Sequence, residues 1–233
     1  LAELGRPLYE EPLAVLDAAG RGLPWAGFEW LSELLFYRVW SRGGFLGLVF
    51  LKAALACAAG YALDSTLKRS GCAPALRAAA LLTWAALSQK RWMLEPELFT
   101  FLFLALLWRR IASERPWSGR SALSWTALFA LWANLHGGFL YGLGLLALSL
   151  AGRGRPWRPK LELLALLTAA TLLTPYGGSA YAVAFHLLGD VAKLRAGNIE
   201  WMSPALLPGL LPKAYFLLPL LALSLMWKRV RRG

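Results

Sequence analysis

Residues 121–151 read SALSWTALFALWANLHGGFLYGLGLLALSLA. One helix through all of it would be about 46 Å long, against roughly 30 Å of bilayer hydrocarbon. Its centre holds Asn134, His136, Gly137 and Gly138, poor occupants of a bilayer midplane. The stretch is therefore expected to be two short helices, 121–136 and 138–151, with a turn at Gly137-Gly138. Basic segments flank it on both sides, and a hairpin keeps both on one face of a membrane.

Outward from this stretch, apolar runs recur at about 43–63, 74–89, 97–111, 160–175 and 210–227. Residues 28–41, FEWLSELLFYRVWS, set Phe28, Leu31, Leu35 and Val39 near one helical face, the pattern of an interfacial helix. A second interfacial helix is expected near 179–190. The fold class expected is all-α, a polytopic transmembrane helical bundle of about seven spans plus two interfacial helices. Residues 1–42 form an extracytoplasmic loop that includes helix 28–41, and residues 43–233 the transmembrane domain.

Composition agrees with that class. Hydrophobic residues make up 58% and charged residues 16% of the chain, where a soluble domain carries about 25% charge. The net charge of +12 would suggest nucleic acid in a soluble protein. Here the basic residues sit in short clusters between apolar runs, so membrane orientation explains them and no nucleic-acid partner is expected. Segments 64–77, 109–120, 152–160 and 228–233 hold 15 of the 25 Lys and Arg. The positive-inside rule puts them, with the C-terminus, in the cytoplasm. Residues 1–42 then lie outside, and a further spanning helix is expected upstream of Leu1. Cys57 and Cys72 lack partners at metal-ligand spacing and read as free thiols.

The opposite face gathers the chemistry: Asp17, Glu29, Glu33, Glu95 and Glu97, with Lys90, Arg91 and His136, and Trp25, Trp30, Trp92 and Trp201. A carboxylate there can serve as general base, a cation can hold a departing phosphate, and aromatic faces can stack on a sugar. Each residue also has a plain role: interface anchor for Lys90 and Arg91, wet helix face for Glu29 and Glu33, turn cap for Asn134. No nucleophile triad, phosphate loop or paired metal motif is present.

Several strings together resemble the GT-C glycosyltransferases, in the protein-mannosyltransferase-like group of bacterial membrane proteins. They are Gly22-Leu-Pro-Trp25, Phe28-Glu-Trp-Leu-Ser-Glu33, Pro96-Glu-Leu-Phe-Thr100, Leu131-Trp-Ala-Asn-Leu-His-Gly-Gly-Phe139, Thr174-Pro-Tyr-Gly177 and Glu200-Trp-Met-Ser-Pro204. The resemblance implies a polyprenyl-phosphate-sugar donor, an acceptor on the outer face (glycan, lipid or protein) and inverting transfer with an acid of the first outer loop as base. That acid usually lies ahead of Leu1, so Asp17 and Glu29 are the catalytic candidates here. Lys90, Arg91, Asn134 and His136 are the substrate-binding candidates. No metal ligand is assigned. Phe28 stands where a His is expected, Glu95 where an Arg is common and Thr174 where an Asn is common. Two other readings stay open: a transporter or flippase of lipid-linked saccharide, with Lys52 lining the path, and a non-catalytic membrane protein. The expected location is the bacterial inner membrane.

Overall fold

A computed structural model describes residues 29–88, 94–113, 115–150, 157–179 and 181–182. Among the described residues the protein is all-α, with six helices and no strand. In chain order they are α1 (Trp30–Arg69), α2 (Pro74–Ser88), α3 (Glu97–Ala112), α4 (Gly119–Leu135), α5 (Phe139–Leu150) and α6 (Trp157–Ala170).

Helix α1 carries Glu33 in its first turn and Lys68 and Arg69 in its last, so charge opposes the helix dipole at both ends. It is bent at Gly44, whose φ of 55° and ψ of −152° are open essentially to glycine alone. The bend falls where the amphipathic pattern of 28–41 gives way to the apolar run. A Schellman motif closes the helix. Gly71 adopts φ 74°, its N–H donates to Lys68 O, and Cys72 N donates to Leu67 O, each at 3.1 Å. Pro74 then opens α2, where its missing N–H costs nothing. Arg77 of α2 donates to both Asp64 oxygens, at 2.8 and 3.0 Å, and fastens α2 to α1.

Helix α4 begins at Ser118, whose hydroxyl accepts from Ser121 N. It ends at His136, where the backbone turns extended (φ −164°, ψ 145°), and α5 starts at Phe139. Lys160 Nζ, from the first turn of α6, donates to Leu150 O at 2.7 Å and caps α5.

Helix α1 packs most extensively on α3, and α4 on α6, with α5 against α3 and α6. The core between them holds Phe99, Phe103, Phe129, Trp132, Phe139, Leu146 and Leu167. Trp132 is fully buried, edge-on to Phe103 with centroids 5.4 Å apart. Gly142 makes room for it: a Cβ there would lie 2.5 Å from the Trp132 ring.

The outer surface is apolar. Phe45 is 76% exposed, Phe50 72%, Leu82 71% and Leu148 76%, on three different helices. One described helix, α1, is long and apolar enough to cross a membrane; α5 is apolar but shorter. Helices α2, α3, α4 and α6 have 15, 16, 17 and 14 residues, or about 21–26 Å each at the α-helical rise. The expected span 210–227 and nearly all of the expected interfacial helix 179–190 lie outside the described residues.

Charge is divided between the two ends of the bundle. Arg69, Arg109, Arg110 and Arg115 line a common cavity at one end. Glu29, Glu33, Glu95 and Glu97 are near enough to one another at the other end to interact.

Candidate functional site

The acidic end is assembled from chain reversals. Glu29 is the N-cap of α1, Thr100 lies in the first turn of α3, and His136 is the C-cap of α4. His136 Nε2 lies 3.3 Å from Glu29 Oε1. On the other side of the ring, Nδ1 lies 2.9 Å from Gly138 N and 2.7 Å from Thr100 Oγ1.

These contacts fix the imidazole tautomer. A backbone N–H can only donate, so Nδ1 is the bare nitrogen and Nε2 carries the proton. With Nδ1 bare, the Thr100 hydroxyl donates to it, sharing the one lone pair with Gly138 N–H, while Oγ1 accepts from the Trp132 indole N–H at 2.9 Å. The result is a directed chain, Trp132 N–H to Thr100 and Thr100 O–H to His136, with the Nε2 side of the ring turned toward the Glu29 carboxylate at 3.3 Å. Close packing holds it. A Cβ at Gly138 would overlap the Thr100 side chain and sit 2.7 Å from His136 Nδ1.

Two further anchors set the position of Glu29. Ser32, fully buried, shares its hydroxyl proton between Glu29 O at 2.7 Å and Leu135 O at 2.8 Å. Trp30 Nε1 donates to Asn134 Oδ1 at 2.9 Å. The Asn134 amide nitrogen donates to Ala130 O and to Leu173 O, at 2.8 and 2.9 Å. Both its N–H groups are thus committed within the protein, and Asn134 joins the end of α4, the start of α1 and the segment after α6.

Electrostatics follow from this setting. Burial first, then the negative charges of Glu33, Glu95 and Glu97, push the Glu29 carboxyl up from 4.5 to about 7. His136 lies in the turn outside both α4 and α5. Burial lowers its pKa to about 4, so the ring is neutral near pH 7. The Glu29 side chain is still 34% exposed, so an incoming hydroxyl can reach it. A reachable carboxylate that titrates near neutrality, beside a neutral imidazole 3.3 Å away, is equipped to take a proton from an acceptor hydroxyl. Among the described residues, no group of three or more His, Cys, Asp or Glu side chains is placed to hold a metal ion.

Of the residues singled out in the sequence, Glu29, Asn134 and His136 come together at this end. Asp17, Lys90 and Arg91 lie outside the described residues. Thr100, Trp132, Ser32 and Gly138 were not singled out as site residues, although all four fall within the quoted strings. Gly138 is legible only as a turn, and the other three give no signal: a Thr in a helix, a Trp in an apolar run and a Ser on an amphipathic face read as filler until the helices are packed. No protein-family model matches the chain, and no curated protein and no solved structure matches it either.

Proposed function

We propose that this chain belongs to a multi-spanning inner-membrane glycosyltransferase of the GT-C kind. It would move a sugar from a polyprenyl-phosphate carrier to an acceptor at the outer face. The bundle is read as polytopic because large apolar side chains are exposed on several helices while charge collects at its two ends. On this reading the arginine-lined end faces the cytoplasm and the Glu29 end faces outward.

The observation that carries the proposal is the Glu29 carboxylate, reachable at the acidic end of the bundle, 3.3 Å from neutral His136, and raised to about 7 by burial and neighbouring acids. In the step proposed, the acceptor oxygen forms a bond to the anomeric carbon from the face opposite the phosphate. The carbon–oxygen bond to phosphate breaks, and its electron pair leaves on the polyprenyl phosphate. The hydroxyl proton passes to Glu29. His136, Thr100 and Asn134 act as positioning residues. Asp17 is the second candidate base, and Lys90 and Arg91 are candidates for holding the departing phosphate.

The test is sugar transfer in membranes bearing the full-length protein, with radiolabelled polyprenyl-phosphate sugar. Transfer is expected for the wild type and lost in Glu29→Gln. Normal transfer by both Glu29→Gln and Asp17→Asn would reject the assignment of the base. Passage of the intact lipid-linked sugar between leaflets without transfer would replace the proposal with the transporter reading.

A further inference from the structure

The other end of the bundle carries a second site. A cavity of about 450 Å³ opens between the C-terminal ends of α1 and α3 and the N-terminal end of α4. That volume lies within the roughly 300–1,000 Å³ usual for small-ligand pockets. Its polar lining includes Arg69, Arg109 and Arg115 together with Ser113 and Ser118, over an apolar wall that includes Trp125.

Arg110, also at this cavity, is engaged by the protein. It donates to Ser121 Oγ, to Arg115 O and to Pro116 O, at 3.2, 3.0 and 3.0 Å, and its guanidinium lies 3.9 Å from the centre of the Trp117 ring. These contacts fasten the Arg115 and Pro116 carbonyls, and Arg115 and Ser118 both line the cavity. None of Arg69, Arg109 and Arg115 is in an ion pair among the described residues. Helix dipoles account for Arg69 and Arg109 singly, each in the last turn of its helix. They do not account for a third guanidinium delivered by a loop into the same cavity, beside the dipole-positive start of α4. Like charges brought together repel, and a bound anion with several acceptor oxygens offsets that repulsion while matching the arginine forks.

We infer that this cavity binds a phosphate group, taken between Arg69, Arg109 and Arg115 with the Ser113 and Ser118 hydroxyls as further donors. Either an anionic lipid headgroup or a free phosphate ester supplies that chemistry. The inference does not depend on the sugar-transfer reading, since it concerns the opposite end of the bundle and is measured by binding.

The test uses the full chain in two settings. In detergent, the thermal midpoint is followed against sodium phosphate, with sodium chloride at matched ionic strength. In nanodiscs, it is followed with phosphatidylcholine alone and with added phosphatidylglycerol. Wild type is expected to gain stability with phosphate, with phosphatidylglycerol or with both. The first arm alone identifies a soluble phosphate ester, and the second alone a lipid headgroup. Arg109→Gln/Arg115→Gln should weaken the apparent affinity by at least about tenfold, one lost charge-assisted contact being worth that much. Arg158→Gln, outside the cavity, should leave it unchanged. If the double glutamine variant does not fold, Arg109→Lys/Arg115→Lys, which keeps the charge and loses the fork, should show the weakening. No stabilisation of wild type in either setting overturns the inference. So does a loss as large in Arg158→Gln as in the cavity variants.

Discussion

His136 Nε2 and Glu29 Oε1 stand 3.3 Å apart, so the C-cap of α4 meets the N-cap of α1. Gly138 N and Thr100 Oγ1 occupy the far side of the ring, which leaves the imidazole one orientation and one tautomer. Buried and neutral, it brings no compensating positive charge to the carboxylate. Glu29 therefore keeps a raised pKa despite its partner.

The sign of the pH dependence follows. The base form of Glu29 is the ionised one, so sugar transfer should rise with pH through about 7. Stability runs the other way. The folded-state pKa lies above the unfolded value, so the Glu29 contribution is full below about 4.5 and is lost as pH rises through about 7. Glu29→Gln should remove both dependences, lowering transfer by about 10²–10⁴-fold and flattening the fall in Tm between about pH 4.5 and 7. Glu95→Gln removes one of the neighbouring negative charges and should move the activity midpoint toward acid. A midpoint that does not respond to either change would show that another group titrates.

Gly138 tests the packing behind the pair. Gly138→Ala drives a methyl into Thr100 and His136. It should cost about 1–3 kcal/mol as overpacking does, and it should depress transfer more than stability. Gly144→Ala is the control. Nothing lies within 4 Å of a Cβ there, and inside a helix the change should stabilise by about 0.5–1 kcal/mol. Chemical denaturation of both variants reads the difference, and equal effects would sink the argument.

The bend at Gly44 gives a conformational test. Ala does not hold φ 55° with ψ −152° without about 1–3 kcal/mol of strain. Gly44→Ala should therefore straighten α1. Pulsed electron paramagnetic resonance between labels at Tyr37 and Phe50, both exposed, should record a longer distance in the variant. An unchanged distance together with unchanged stability would refute this account of the bend.

Orientation is tested by labelling. A cysteine introduced at Arg155 should escape an impermeant thiol reagent on intact cells, and one at Gly137 should react. The reverse pattern would invert the layout and put the Glu29 end in the cytoplasm.

Much of the helical layout is legible in the chain. The break at Gly137-Gly138 is legible from four polar or flexible residues at the centre of a long apolar stretch, and α4 ends just before it. The bend in α1 lies where the hydrophobic pattern changes from one-sided to continuous. Glu29 and His136 each stand out by type. What local sequence cannot give is their meeting, because it depends on how α1 and α4 pack around α3. The same holds for Asn134. Its cap and substrate-binding readings were both open, and only the positions of Trp30 and Leu173 reveal that both its N–H groups are used. The basic clusters are legible as runs of Lys and Arg between apolar segments. Their convergence on one cavity is not, since Arg69 and Arg115 are brought together by packing alone.

The Asn134 carboxamide is a junction with three arms. One reaches Trp30, next to the proposed base, one reaches the carbonyl of Ala130 within α4, and one reaches Leu173 beyond α6. A single buried side chain thus ties the backbone beyond α6 to the residue that follows Glu29.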